Sequence, residues 1–497
     1  MAAPVTRGDG TVQPRGAIRT SPLVVGGAPV TGVPDVRRVE GDVNISSARQ
    51  AWSVSGLGPQ GRLLVDADRQ GFLDQSLSTP VLNAVARCEG IYVEDVDGRR
   101  YMDFHGNSVH HVGYGHPKVV AAIKRQLDEM CFSPRRYTNR RAVELAEKLA
   151  EITPGRLERS LFAPSGSDAI EMAVKLVRMA TGRFKTVSFW DAFHGAGMGA
   201  SSVGGEEIFR GGCMGPLLPG SEHVAPPECF RCAYGYPDRD GRPVLEQCRM
   251  ACASYLRYVL EREGDVAAVI AEPIRTVPII PPPGYWAEVR RACDDHGALL
   301  IFDEIPNCLG KTGRMYACEH YGVTPDIIVT GKALGGGILP IAAITAPADL
   351  DVAGERAIGH YTHEKNPVLA AAALATISVV EEEGLVERAA ELGGLAERRL
   401  AELRAGHRLV GDVRNKGLLI GIELVRDRQT KERATAEAEG VLYRCLELGL
   451  SFKTTMGNVL TLTPPLVVGE EELDRAFAIV DQALTEIESG TERAPTS

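Results

Sequence analysis

No apolar run in this chain of 497 residues approaches the roughly 20 residues that a membrane-spanning helix requires, so no membrane partner is expected. A basic surplus is missing too. Lys and Arg number 55 against 65 Asp and Glu, a net charge of −10, which has the wrong sign for a general nucleic-acid binder. The phosphate-loop pattern G-x-x-x-x-G-K-[ST] does not occur, and "GKALGGGILP" lacks the G-x-G-x-x-G of a dinucleotide turn. Residues 1–65 contain no apolar signal-peptide core; they are rich in Gly, Pro, Val, Arg and Thr without periodicity and predict a flexible extension. Eleven scattered cysteines without such a core point to reduced thiols and a cytoplasmic protein.

With 44% hydrophobic and 24% charged residues, the chain reads as globular and long enough for a large domain plus a smaller one. "GIYVEDVDGRRYMDF" alternates around an Asp-Gly turn and predicts a β-hairpin, while "HPKVVAAIKRQLDEM" and "AVELAEKLAEI" have helical spacing. These place an N-terminal segment at 66–150. In 151–365 the apolar runs "RSLFAP", "KTVSFW", "VAAVIAEP", "ALLIFDEI" and "DIIVTGKAL" alternate with helical stretches, the pattern of a doubly wound α/β, mainly parallel sheet. Residues 366–497 change to a long helical pattern, short strands and a closing helix, and predict a smaller α+β C-terminal domain.

Chemistry is expected at the strand ends. "LLIFDE" finishes in Asp303 and Glu304, "AVIAEP" in Glu272 and Pro273, and "IIVTGKALGGG" places Lys332 directly after an apolar strand. A lysine there is expensive as a cation but reasonable as a nucleophilic amine that forms an imine. A deep aspartate needs a cationic partner, which a protonated pyridine nitrogen provides. "SGSDAIEMAVKLVR" opens a helix on a glycine turn (Ser165, Gly166, Ser167), a ready phosphate site. Each feature alone has an ordinary structural reading; together they fit pyridoxal phosphate and fit ATP or nicotinamide poorly.

The stretch "IFDEIPNCLGKTGRMYACEHYGVTPDIIVTGKALGGGILPIAAI" resembles the signature of class III (ω-type, fold-type I) pyridoxal-phosphate aminotransferases. The resemblance runs from about Gly90 to Ile487 and extends to dialkylglycine decarboxylase and to the group acting on 1-hydroxy-2-aminoethylphosphonate. It implies that Lys332 is the Schiff-base lysine and Asp303 the partner of the pyridine nitrogen. Ser165, Gly166 and Ser167 would hold the phosphate, Phe193 would stack on the ring beside His194, and Glu272 would complete the pocket. Thr362, in "YTHEKNP", would reach the phosphate across the interface of a homodimer.

Four departures bear on the reaction. Pro306 replaces the family's ring-facing glutamine, with Asn307 beside it as a substitute. Thr461 stands where the arginine for the substrate carboxylate is usual, and Val277 where a glutamate pairs with that arginine. Losing both leaves no buried charge unpaired. Arg275 replaces a glutamine and suits a phosphonate or phosphate. Asn107 and Arg136 are further candidate substrate contacts, the arginine equally readable with Arg135 as a solvated turn; His110 and His111 read as structural. Cys229, Cys232, Cys248 and Cys252 approximate a zinc-ribbon spacing, but the second pair is C-x-x-x-C, so they read as free thiols and no metal is expected.

The function so implied is amino transfer between a small amine or amino acid and a keto acid or aldehyde. The alternative is an ammonia-lyase or phospho-lyase acting on a small amino-phosphonate or amino-phosphate, which needs no second substrate. A non-catalytic scaffold would not keep Lys332 and Asp303.

Overall fold

Three short strands, β1 (Val85–Glu89), β2 (Tyr92–Asp95) and β3 (Arg100–Asp103), open the sheet structure of the computed structural model, which describes residues 39–42 and 44–490. The Asp-Gly hairpin forms as expected between β2 and β3. β3 also pairs in parallel with Leu450–Ser451, so the N-terminal segment is stitched to the C-terminal part of the chain.

The predicted extension 1–65 falls largely on residues 1–38, which lie outside the described ones. Its later part corrects the boundary. Ser47–Ala51 is a short helix capped by the Ser46 side chain, and Pro59–Gly71 is helical with proline in its first turn. Trp52 is buried; its indole N–H donates to the Leu82 carbonyl at 3.2 Å, and its ring lies 5.8 Å from Tyr443. One indole with a buried apolar face and a satisfied N–H anchors the segment, a tertiary contact that its aperiodic sequence does not announce.

The large sheet has seven strands: β4 (Arg159–Ala163), β5 (Lys185–Phe189), β6 (Ser221–Val224), β7 (Val266–Ala271), β8 (Leu299–Asp303), β9 (Ile327–Thr330) and β10 (Ala342–Ala346). Their spatial order is β4-β10-β9-β8-β7-β5-β6, and only β10 runs against its neighbours. Every residue of β7 and β9 is buried, as strands covered on both faces require. The helix Gly166–Thr181 packs on this sheet with seven buried residues on its apolar side; Ser165 caps its start, Asp168 sits in its first turn, and Gly182 at φ 67° ends it.

A second sheet joins β11 (Val410–Lys416), β12 (Leu419–Asp427), β13 (Lys453–Thr455) and β14 (Val459–Leu462) in the antiparallel order β11-β12-β14-β13. The helix Pro367–Glu382 starts on Asn366, whose side chain accepts from the N–H groups of Val368 and Leu369. It packs against Pro117–Glu129 and Arg140–Ile152, so the helices of the N-terminal segment and the start of the C-terminal region share one core.

Trp52→Ala removes the anchor of residues 44–65. It is expected to cost about 3–5 kcal/mol, read as a lowered denaturant midpoint; a loosely attached segment would leave the midpoint unchanged.

Candidate active site

Three neighbouring strands deliver the chemistry at their carboxyl ends. Asp303 closes β8, Glu272 follows β7, and Lys332 follows β9. Asp303 is buried, and its Oδ2 lies 2.8 Å from His194 Nδ1 while Oδ1 accepts from Ile305 N–H at 3.1 Å. The other ring nitrogen of His194 is buried without a partner. Glu304 faces elsewhere: it accepts from Ala317 and Cys318 N–H groups at 3.0 and 2.8 Å, and burial pushes its carboxyl up to about 7. Of the adjacent carboxylates, Glu304 is thus a structural brace.

Lys332 sits at φ 42°, a left-handed backbone that non-glycine residues avoid. The turn Lys332–Gly335 packs against Gly106–Ser108, which brings the backbone of Asn107 close while its side chain stays exposed.

The Ser165–Ser167 turn meets the Phe193–Gly195 element. Ser165 Oγ accepts from Asp168 N–H at 3.2 Å and leaves the first-turn N–H groups of Gly166 and Ser167 open. Ser167 Oγ accepts from Ala196 N–H at 3.2 Å. Gly195 has φ 128°, and a Cβ there would lie 2.3 Å from Ser167 Oγ, so the two elements close on each other only because residue 195 has no side chain. Phe193 is half-buried, its ring 4.8 Å from Phe209.

A charged network lies beside these elements. Arg275 is buried between Glu206 (3.4 Å) and Glu272 (3.4 Å). Its guanidinium therefore already faces two carboxylates, which corrects the expectation of an open anion receptor. Burial pushes Glu206 up to about 8 and Glu272 up to about 7, against the pull of Arg275. Two residues escaped sequence reasoning. Glu40 Oε1 stands 3.9 Å from Lys332 Nζ and 3.5 Å from Lys453 Nζ. Lys453 lies within the strand-like "SFKTT", where a buried cation was a readable signal; Glu40 had no local signal.

The two positions where the resemblance implies a carboxylate clamp, Val277 and Thr461, are occupied by other contacts. Val277 packs with Ile279, Met456 and Val459, and Thr461 Oγ1 lies 2.8 Å from Thr455 Oγ1. Asn307 donates to the Ile274 carbonyl at 2.5 Å, and its side-chain oxygen has no partner. Thr362 and Arg136 are exposed and apart from these contacts, while Arg135 pairs with Glu364 at 3.2 Å. His110 and His111 are fully buried; burial drives both toward neutrality, and His110 Nε2 lies 3.0 Å from the Asp103 carbonyl. The four clustered cysteines line one cavity of about 30 Å³, and burial pushes Cys229 up to about 12. Among the described residues no group of three or more His, Cys, Asp or Glu side chains is arranged to hold a metal ion.

An open helix start beside a side-chain-free cradle, a buried aspartate and a strand-end lysine fit pyridoxal phosphate. The family model for class III aminotransferases matches residues 75–484, and the chain belongs to that pyridoxal-phosphate-dependent enzyme family. It is 44% identical over 460 residues to the (R)-1-hydroxy-2-aminoethylphosphonate ammonia-lyase of Vibrio splendidus (strain 12B01), covering 90% of this chain and 95% of that protein. It is 40% identical over 407 residues to a leucine/methionine racemase of Thermococcus litoralis, covering 80% and 89%. Among solved structures, a PLP-bound amine transaminase from an uncultivated Pseudomonas species superposes with a TM-score of 0.78 at 30% identity, over 84% of this chain and 99% of that one. The mainly parallel sheet with its C-terminal sheet is the fold-type I architecture.

Two predictions follow from this geometry. Gly195→Ala should force the Ser167 turn aside and weaken cofactor retention, measured as pyridoxal phosphate remaining after dialysis. Burial lowers Lys311 to about 7; its Nζ donates to the Pro464 carbonyl at 2.6 Å. Above that value the unfolded chain binds a proton that the folded chain does not, so stability rises with pH. Relative to Lys311→Met, the wild type should gain stability between about pH 7 and 10; parallel curves would refute this.

Proposed function

We propose that this chain is a pyridoxal-phosphate-dependent ammonia-lyase acting on a short 1-hydroxy-2-amino-phosphonate. The observation that carries this is the filled clamp: Val277 in an apolar cluster and Thr461 hydrogen-bonded to Thr455 leave no charged pair at these two positions to seat and release the α-carboxylate of a second substrate. The 44% identity to a lyase of that chemistry supports the same reading.

In this proposal the Ser165, Gly166 and Ser167 turn holds the cofactor phosphate with its open N–H groups and the helix dipole. Thr362 reaches it across the interface of a homodimer, a reading that its exposure on the single chain supports. Asp303, held by His194 at 2.8 Å, would pair with the pyridine nitrogen, Phe193 would cover the ring, and Glu272 with Arg275 would complete the pocket. Lys332 is the covalent attachment point. Bound there, pyridoxal phosphate supplies an electron sink for carbon–hydrogen cleavage beside the substrate amine. With the cofactor bound, the Lys332 amine would serve as the base that removes the proton from the amine-bearing carbon. Loss of the neighbouring hydroxyl as water, return of a proton to the carbon that bore it, and uptake of one water as the carbon–nitrogen bond is hydrolysed would balance to ammonia and a phosphonate aldehyde. Asn107, from the turn against Lys332, and Arg136 are outer substrate contacts. The eleven free thiols support a reducing compartment, the cytoplasm.

Transamination by the same residues is the second reading, favoured by the family and by the transaminase neighbour. The two separate in one assay of holoenzyme with 1-hydroxy-2-aminoethylphosphonate and no keto acid. Sustained ammonia release over many turnovers, lost in Lys332→Ala, is the expected outcome. A single turnover that resumes only on adding a keto acid or aldehyde would establish the transaminase instead.

A further inference from the structure

We propose that Lys453 receives the substrate's phosphonate, and that the Glu40 carboxylate is an internal anion holding that place until the substrate displaces it. The inference deepens the lyase reading and rests on it for the identity of the substrate.

The argument begins with register. Lys453 on β13 is paired with Thr461 on β14, and residues opposite each other on neighbouring strands share a face of the sheet. Thr461 occupies the position that carries the carboxylate-binding arginine in the family this chain resembles. The positive charge has therefore not vanished from that face but stands one strand over. Lys453 is 7% exposed and directs its ammonium to Glu40 at 3.5 Å, and Lys332, the attachment point for the cofactor, lies 3.9 Å from the same carboxylate oxygen. An anion at this place would sit beside both the binding cation and the reacting centre.

Glu40 reports how well the place holds negative charge. Burial alone would raise its carboxyl, but Lys453, Lys332 and Arg275 together hold it down at about 2. It is delivered by a strap fastened along β13. The Val39 carbonyl accepts from Met456 N–H at 2.8 Å, Asp42 Oδ1 accepts from the N–H and hydroxyl of Thr454 at 2.6 and 2.9 Å, and Glu40 N–H donates to Glu206 Oε1 at 2.6 Å. These fastenings use backbone and neighbouring residues, so the Glu40 side chain can swing away without releasing the strap. A phosphonate dianion is the better ligand for the ammonium, since it offers three oxygens and more charge than a carboxylate.

The competing account is a permanent ion pair that only stabilises the fold. It predicts that Glu40→Gln leaves a buried cation unpaired and loosens the site, whereas displacement predicts tighter anion binding. The probe is methylphosphonate, which carries no amine, titrated calorimetrically into holoenzyme. Glu40→Gln should bind it more tightly and Lys453→Met more weakly, each by roughly 10- to 100-fold, the worth of a hydrogen bond to a charged group. Lys453→Arg should retain binding. The double variant E40Q/K453M, which removes both members of this ion pair together, should bind as weakly as Lys453→Met and serves if that variant folds poorly. In turnover, Lys453→Met should raise KM for the amino-phosphonate more than it lowers kcat. Unchanged affinity in Lys453→Met or the double variant, or weaker binding in Glu40→Gln, overturns the inference even where ammonia release bears out the lyase reading. Methylphosphonate binding that follows both residues in an enzyme releasing no ammonia would uphold the anion site and sink the lyase reading alone.

Discussion

A charge carried into the protein interior has to be answered there, because burial withdraws the water that would otherwise solvate it. The carboxyl ends of β7, β8 and β9 crowd such charges into one place, and the surrounding structure is arranged around answering them. His194 meets Asp303, Arg275 meets both Glu206 and Glu272, and Lys453 with Lys332 meets Glu40. Glu206 and Glu272 share one guanidinium, and burial pushes them up to about 8 and about 7. The negative charge of Glu40 nearby acts in the same direction as burial on both, against the pull of Arg275. The same rule is consistent with finding Val277 and Thr461 together at the two positions where the resemblance implies a glutamate and an arginine. A glutamate or an arginine kept alone at either position would lack its counter-charge in a site where the remaining charges are already matched.

Backbone strain marks the same region. Lys332 adopts φ 42° between Gly331 and a turn that ends at Gly336, φ 68°, and Gly337, φ 72°. A left-handed lysine is tolerated only where its surroundings over-determine it. Here the apolar strand β9 fixes one side and the glycines let the chain turn away on the other, so the amine is presented at the strand end rather than along the sheet.

Much of this was legible because it is local. The strands of the large sheet are short apolar runs, the helix at Gly166 announces itself by its cap, and Asp303 and Lys332 stand at ends that the runs themselves define. What escaped notice depends on contacts between distant segments. Glu40 and Lys453 are separated by 413 residues, and nothing near either one implies the other. Arg275 has one of its two carboxylate partners, Glu272, three residues before it, but the other, Glu206, lies 69 residues away, and only the fold brings both onto one guanidinium. Trp52 sits in a stretch without periodicity, and its burial depends on Leu82 and Tyr443. Pattern finds elements and strand ends; it does not find which charges those elements bring face to face.

The placement of the anion-binding cation also bears on how many substrates the site must serve. An enzyme that seats two carboxylate-bearing substrates in turn benefits from an arginine that can be engaged and released by a nearby glutamate, since the same pocket must accept different side chains. Lys453 is different. It is carried on a strand whose register with β14 is set by backbone hydrogen bonds, and its counter-anion comes from a strap fastened to that same strand. Such a pair can exchange one anion for another of similar position, but it has little means of moving the cation itself. A fixed cation suits a reaction with one anionic substrate of constant length, in which the phosphonate anchors one end and Lys332 works at the other.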